Sequence, residues 1–392
     1  VPYVVGIDLG HTRTTAAVCR RAQGTWGEPD VVAFEGGARW FESVLHVGRD
    51  GSSLIGQDAL RRAVAEPDGL ARGFMSRVGD DVPMLVGGAR YPAELLAATL
   101  AGWVVDEVAE LEGGPADRIV LTHPPGWGPH RRAVLHGSLE AAGLPGVLLL
   151  PSPIAAAESP LVREAVGVGS VLAACRLGGE HVESAILRRN PAGFEILTHV
   201  DGSASGAGAR LDDLLFDYVL ETAGVEATET VGLRAACREA KERLSLAPEV
   251  SVSLGALGEM PLTRAEFEHL ARPVLATAIE RLCRVATPVP AAVALVGGSA
   301  RVPLVTDLAQ DKFGCPVIVD PDPGTAVCRG AALAARPRMA PQPEFVPPPV
   351  REEVAVFDDE PEPPPRPPVE ITPLEPPKRF VLPGRKSGGR DD

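Results

Sequence analysis

The chain has 392 residues, 45% of them hydrophobic, and a formal net charge of −14. That length and apolar content suit two domains or one large two-lobed fold. The acidic balance argues against DNA or RNA as partner, because nucleic-acid binding needs Lys and Arg to neutralise phosphates.

The first organised stretch runs from Val4 to Val18. Two β-prone runs flank a turn, Gly10-His11-Thr12, with Asp8 near the end of the first run. Such a turn suits phosphate: Gly10 permits close backbone approach, Thr12 and Thr14 offer hydroxyls, and Asp8 could hold a hydrated Mg²⁺. A polar hairpin without a ligand reads equally well from this segment alone. Asp30 to Phe34 reads as a third strand, Ser43 to Val47 as another, and Gly56 to Val64 as a helix. Pro92 to Leu111 is a long amphipathic helix with Leu95, Leu96, Leu100, Val104, Val108 and Leu111 as its apolar stripe, ended by Gly113-Gly114.

Strands and helices then alternate: Arg118 to Thr122, Pro129 to Ala142, Val147 to Leu150, and an Ala-rich helix after Pro153. This pattern indicates a mixed or parallel sheet covered by helices. From Ser170 the opening scheme repeats. Ser170 to Arg176, Ser184 to Arg189 and Gly193 to His199 read as three strands, the first two joined at Gly178-Gly179. Helices follow at about 208 to 223, 231 to 245 and 263 to 285, then a strand, Ala292 to Val296, reaches Gly297-Gly298. Two such repeats would bring Gly10 and Gly178-Gly179 face to face across a cleft.

Sixteen of the 39 prolines fall in residues 337–392, interleaved with charged residues. Such a composition buries too little apolar surface to fold, so a disordered tail, a linker or a ligand for polyproline-reading modules, is expected there. The six cysteines show no metal-ligand spacing and read as reduced, mostly buried thiols. With no apolar run long enough for a membrane span and no secretory leader in view, a cytoplasmic, soluble protein is the expectation.

Four motifs occur in an order that carries a resemblance: Gly6-Ile7-Asp8-Leu9-Gly10-His11-Thr12, Leu177-Gly178-Gly179, Leu295-Val296-Gly297-Gly298-Ser299-Ala300-Arg301-Val302-Pro303, and Ala326-Val327-Cys328-Arg329-Gly330-Ala331-Ala332. Together with Cys237 to Ser245 and Leu262 to Phe267, they resemble the nucleotide-binding domain of the 70-kDa heat-shock (DnaK-type) chaperones. The resemblance covers about residues 3 to 336 and implies an α/β, actin-like ATPase (ribonuclease H-like) fold with two duplicated lobes around a nucleotide cleft. The implied division is lobe I at 1–183 with an insertion at about 38–111, lobe II at 184–336 with an insertion at about 224–285, and the tail at 337–392.

The resemblance also implies how ATP or ADP would sit. Gly297, Gly298, Ser299 and Arg301 would carry adenosine from one side, and Lys241 and Ser245, four apart on one helix face, from the other. Asp8, Gly10, His11, Thr12, Arg13, Arg176, Gly178 and Gly179 would surround the phosphates. Departures from the family pattern concentrate here. Arg176 stands where the second aspartate is usual, Glu180 at a glycine, His181 at the threonine, Ser152 at the glutamate and Ser76 at the lysine; His11 and Arg13 replace Thr and Asn. A guanidinium near the cation position disfavours Mg²⁺, leaving Asp8 as the one retained candidate ligand. Arg176, with Arg13 and His181, could bind phosphate directly, or Arg176 and Glu180 could pair across an empty cleft. The chain also runs from Ala331–Arg336 into the proline-rich tail where the family continues to a peptide-binding domain. The expectation is therefore an ATP-binding, chaperone-like or regulatory protein with impaired hydrolysis. The alternative is a scaffold that binds no nucleotide and acts through a protein partner and its tail. A sugar or acetate kinase is disfavoured, since Ser152 and Arg176 replace the obvious carboxylate bases.

Overall fold

The structure is a computed structural model that describes residues 1–200, 208–224 and 232–337. The chain divides into two units, Val1–Arg338 and Met339–Asp392. The proline-rich segment read as disordered lies, from residue 338, outside the described residues.

Two sheets share one strand plan. In the first, β1 (Tyr3–Leu9) runs antiparallel to β2 (Arg13–Ala22), which pairs with the short β3 (Thr25–Trp26). On the other side β1 runs parallel to β4 (Arg118–His123), and β4 parallel to β5 (Leu148–Pro151). In the second, β6 (Val171–Leu177) is antiparallel to β7 (Val182–Asn190), which pairs with β8 (Gly193–Val200). Its other side is parallel to β9 (Ala292–Val296), followed by β10 (Val317–Val319). Each central strand is thus the first of its repeat. The third strand expected at Asp30 to Phe34 is reduced to Asp30–Val31 on β2, because Phe34 leaves the ladder to pack edge-on against Phe41 in the core.

Side-chain alternation on β1 and β6 decides what each face touches. Tyr3, Val5, Ile7 and Leu9 of β1 face a core shared with helices α1 (Ala93–Glu112) and α2 (Pro129–Ala141). Val171, Ala173, Cys175 and Leu177 of β6 face helices α4 (Gly208–Ala223), α5 (Leu233–Leu244) and α6 (Arg264–Val285), in a core that α7 (Pro303–Phe313) completes. The opposite faces hold α3 (Ser152–Ala157) and α8 (Ala326–Ala335): Val4 packs with Ala155, Ala156 and α8, and Leu172 and Ala174 with Ala157. Asp8 and Arg176 lie on these inner faces, at equivalent positions of the two repeats.

In α1 the buried face is Leu96, Ala97, Leu100, Ala101, Val104 and Val108, whereas Leu95 and Leu111 are exposed. Small alanines, not Leu95 and Leu111, complete the stripe because they let the helix approach its neighbours closely. Close approach is stricter at α8. A Cβ on Gly330 would lie 1.7 Å from the Ala155 carbonyl oxygen, and one on Gly6 would lie 2.1 Å from the Ala332 nitrogen. Two helices and β1 therefore meet backbone to backbone, and only glycine fits at both contacts.

Gly330→Ala should lower stability by about 1–3 kcal/mol through overpacking. Gly102→Ala in α1, where a new Cβ meets no atom within 4 Å, should raise it by about 0.5–1 kcal/mol. Paired urea melts check both signs.

Candidate functional site

All fourteen residues expected from the sequence to form a binding site line one cavity of about 450 Å³: Asp8, Gly10, His11, Thr12, Arg13, Arg176, Gly178, Gly179, Lys241, Ser245, Gly297, Gly298, Ser299 and Arg301. Four backbone elements build it. The β1–β2 and β6–β7 turns form one end, and they touch: a Cβ on Gly179 would fall 2.4 Å from Thr12 Oγ1. The second turn is also pinned to α4, whose Gly208 and Ala209 amides donate to the Gly178 and Gly179 carbonyls at 2.9 and 2.6 Å. Helix α5 supplies Lys241 and Ser245, and the turn after β9 supplies Gly297 to Arg301. Gly297 has φ 92°, and a Cβ there would lie 2.5 Å from the Leu177 carbonyl oxygen, so glycine is required where that turn crosses β6.

At the base of the cavity Arg176 meets Asp8. Arg176 Nη2 donates to Asp8 Oδ2 at 2.9 Å, and Thr122 Oγ1 donates to Asp8 Oδ1 at 2.7 Å. Arg176 Nη1 lies 3.9 Å from Glu183 Oε2, which accepts from Ser152 Oγ at 2.6 Å. Burial opposes the charge on Arg176, yet the two carboxylates overcome it and hold its pKa above the ordinary value. The pairing of Arg176 with Glu180, one expectation from the sequence, is replaced by this triad. Arg176 and Glu183 are direct cross-strand partners in β6 and β7, whereas Glu180 sits in the turn.

Glu183 is the residue that sequence reasoning missed. Its signal was partly present: with Gly178 to His181 taken as a four-residue turn, symmetric counting pairs Leu177 with Val182 and Arg176 with the one charged residue in the run Val182-Glu183-Ser184-Ala185-Ile186. Ser152 is buried beneath the cavity as the donor to Glu183. Ser76 does not reach the site. In its short helix, Phe74 and Met75 take the buried positions, and Ser76 turns outward with its hydroxyl on the Gly73 carbonyl.

The remaining cations are engaged too. Arg13 lies 3.6 Å over the Trp40 ring centroid and pairs with Glu242 at 2.6 Å. Lys241 Nζ is 2.6 Å from Asp212 and donates to the Gly208 carbonyl at 3.3 Å. Arg301 pairs with Asp322, which Arg39 also reaches at 3.2 Å. Trp40, Arg39, Asp212 and Asp322 line the cavity and were not singled out from the sequence.

This donor set does not fit a divalent cation. Both oxygens of Asp8 are occupied, one by a guanidinium, and no group of three or more metal-ligating side chains occurs among the described residues. Gly298 lines the cavity with nothing within 4 Å of its missing Cβ, so an approaching group meets bare backbone there. Lys241, Ser245 and Arg301 supply polar contacts around it.

His11 and His181, one from each turn, stack with ring centroids 4.0 Å apart and planes 22° from parallel. Burial, then His181 and Arg176, push the His11 pKa down to about 3. All six cysteines are free, with Cys19, Cys175, Cys237 and Cys328 buried. No helix among the described residues is long and apolar enough to cross a membrane.

The His11 shift has a sign. The unfolded chain takes up a proton below the ordinary value of 6.5, the folded chain only near 3, so stability from this group is complete above 6.5 and falls as pH drops towards 3. Melting curves from pH 7 to pH 5 should show a falling Tm, with a smaller fall in His11→Thr.

A family model described as Hsp70 protein matches residues 80–339. The DnaK chaperone of Elusimicrobium minutum is 26% identical over 357 residues, covering 85% of this chain and 57% of that protein. The HscA chaperone of Pectobacterium carotovorum is 31% identical over 365 residues, covering 84% and 57%. An HscA homologue of Burkholderia multivorans is 30% identical over 368 residues, covering 84% and 58%. The chain thus spans a little over half the length of these relatives. The family model, which covers about two thirds of the chain, places it in the Hsp70 family.

Proposed function

We propose that this chain is an Hsp70-type, actin-like module of two lobes, 1–183 and 184–336, that holds ATP or ADP in its cavity but hydrolyses ATP poorly, serving a chaperone-like or regulatory role. Adenosine would lie among Lys241, Ser245, Gly297, Gly298, Ser299 and Arg301. The phosphates would extend towards Gly10 to Arg13 and Gly178-Gly179, whose backbone amides and the Thr12 hydroxyl are the available donors.

The observation that carries the reading on hydrolysis is the 2.9 Å Arg176–Asp8 ion pair. Phosphoryl transfer depends on cations that gather charge as it develops on the terminal phosphate, and on a group that orients the attacking water. Here the base of the cavity holds one guanidinium already neutralised by Asp8 and Glu183, and Glu183 also accepts from Ser152. The chain's residues bind and position; they are poorly arranged for turnover.

A second reading has its own support. The cations Arg13, Arg176, Lys241 and Arg301 all have acidic partners, and Glu180 and Glu183 add carboxylates at the phosphate end. Those features favour a scaffold that binds no nucleotide and acts through a protein partner and the proline-rich segment.

Calorimetric titration of ADP and ATP, with Mg²⁺ and with chelator, separates the readings. The proposal expects binding of similar strength in both conditions and turnover at least a hundredfold below that of a full-length DnaK. Binding that requires Mg²⁺ contradicts the role given to Arg176, and no binding at millimolar nucleotide supports the scaffold. Arg176→Asp should melt lower in chelator and regain stability on adding Mg²⁺, whereas the parent chain shows no such response.

A further inference from the structure

We propose that the stacked His11–His181 pair is a phosphate-length filter that favours a nucleoside diphosphate over a triphosphate by hindering the third phosphate. This rests on the nucleotide reading above and names the ligand class within it.

The geometry places the pair at the inner end of the cavity. His11 follows Gly10 in the first turn and His181 closes the second, just where Thr12 packs against Gly179 and the turns come together. Ring centroids 4.0 Å apart leave no space for any group between the imidazoles. Nδ1 of His181 is buried without a hydrogen-bond partner among the described residues, and the ring lies face to face on His11. A terminal phosphate reaching this point would have to part the two rings.

Electrostatics act in the same direction. A third phosphate brings additional negative charge to an end of the cavity where burial already pushes the His11 pKa down. Glu180 and Glu183 line the same end, and the nearby guanidinium of Arg176 is held by Asp8. Like charges at close range in a partly buried site repel strongly. Gly298, which lines the same cavity, presents bare backbone with nothing within 4 Å of a Cβ, so a nucleoside meets no stacked side chains there.

The test is calorimetric titration of ADP and ATP in chelator on the parent chain, on the double variant His11→Thr/His181→Thr, and on Glu180→Gln. The parent should bind ADP at least tenfold more tightly than ATP. The double variant, with unchanged circular dichroism, should move that ratio at least tenfold towards ATP. Glu180→Gln should move it less than the double variant. ATP bound as tightly as ADP by the parent overturns the filter while leaving nucleotide binding intact. A ratio unchanged in a folded double variant, or one that moves only in Glu180→Gln, overturns the role of the histidines. Failure of the parent to bind either nucleotide removes both the filter and the reading beneath it.

Discussion

The site depends on one ion pair between equivalent positions of a repeated hairpin. Asp8 is the penultimate residue of β1 and Arg176 of β6, each directly before the Leu-Gly that leads into its turn, and each on the inner face of its sheet. Their opposite charges draw the two turns together. Burying one guanidinium between two carboxylates is costly unless hydrogen bonds are complete. Here Thr122 and Ser152 supply the additional donors, to Asp8 and Glu183. Loss of one partner would strand buried charge, at about 3–5 kcal/mol. The contact of Thr12 with Gly179, the histidine stack and the docking of α4 on Gly178-Gly179 all follow from this closure.

A second set of charges crosses the cavity mouth. Arg13 and Glu42 are cross-strand partners, and Arg238 and Glu242 are one turn apart on α5. They pair crosswise, Arg13 with Glu242 at 2.6 Å and Arg238 with Glu42 at 2.9 Å. These residues are half-exposed, so salt and water screen them and each pair contributes little, about 0–1 kcal/mol. The inner pair fixes the base of the cleft; the outer pairs are weak enough to open.

Much of the fold was legible because its signals are local. Alternating apolar runs, glycines at tight turns and the long periodic segment of α1 mark elements within a few residues, and the order of motifs carried the family resemblance. The cavity residues were legible for the same reason, since they lie in glycine turns and on one face of a helix. What escaped was pairing at long range. Glu183 sits two residues beyond the turn that was read and needs the strand register to be matched to Arg176. Trp40 beneath Arg13, and Asp322 between Arg39 and Arg301, join segments far apart in sequence, and no local pattern announces them. That Ser76 faces outward was not legible either, because only tertiary packing decides which side of a one-turn helix Phe74 and Met75 bury.

The central claim is that a side-chain cation occupies the place of a metal ion between the two hairpins. Crystals grown with ADP and Mn²⁺, measured at a wavelength where manganese scatters anomalously, test it directly. The account predicts no anomalous peak within coordination distance of Asp8, with Arg176 still bonded to that carboxylate. A manganese ion bound to Asp8, with Arg176 displaced, would contradict it.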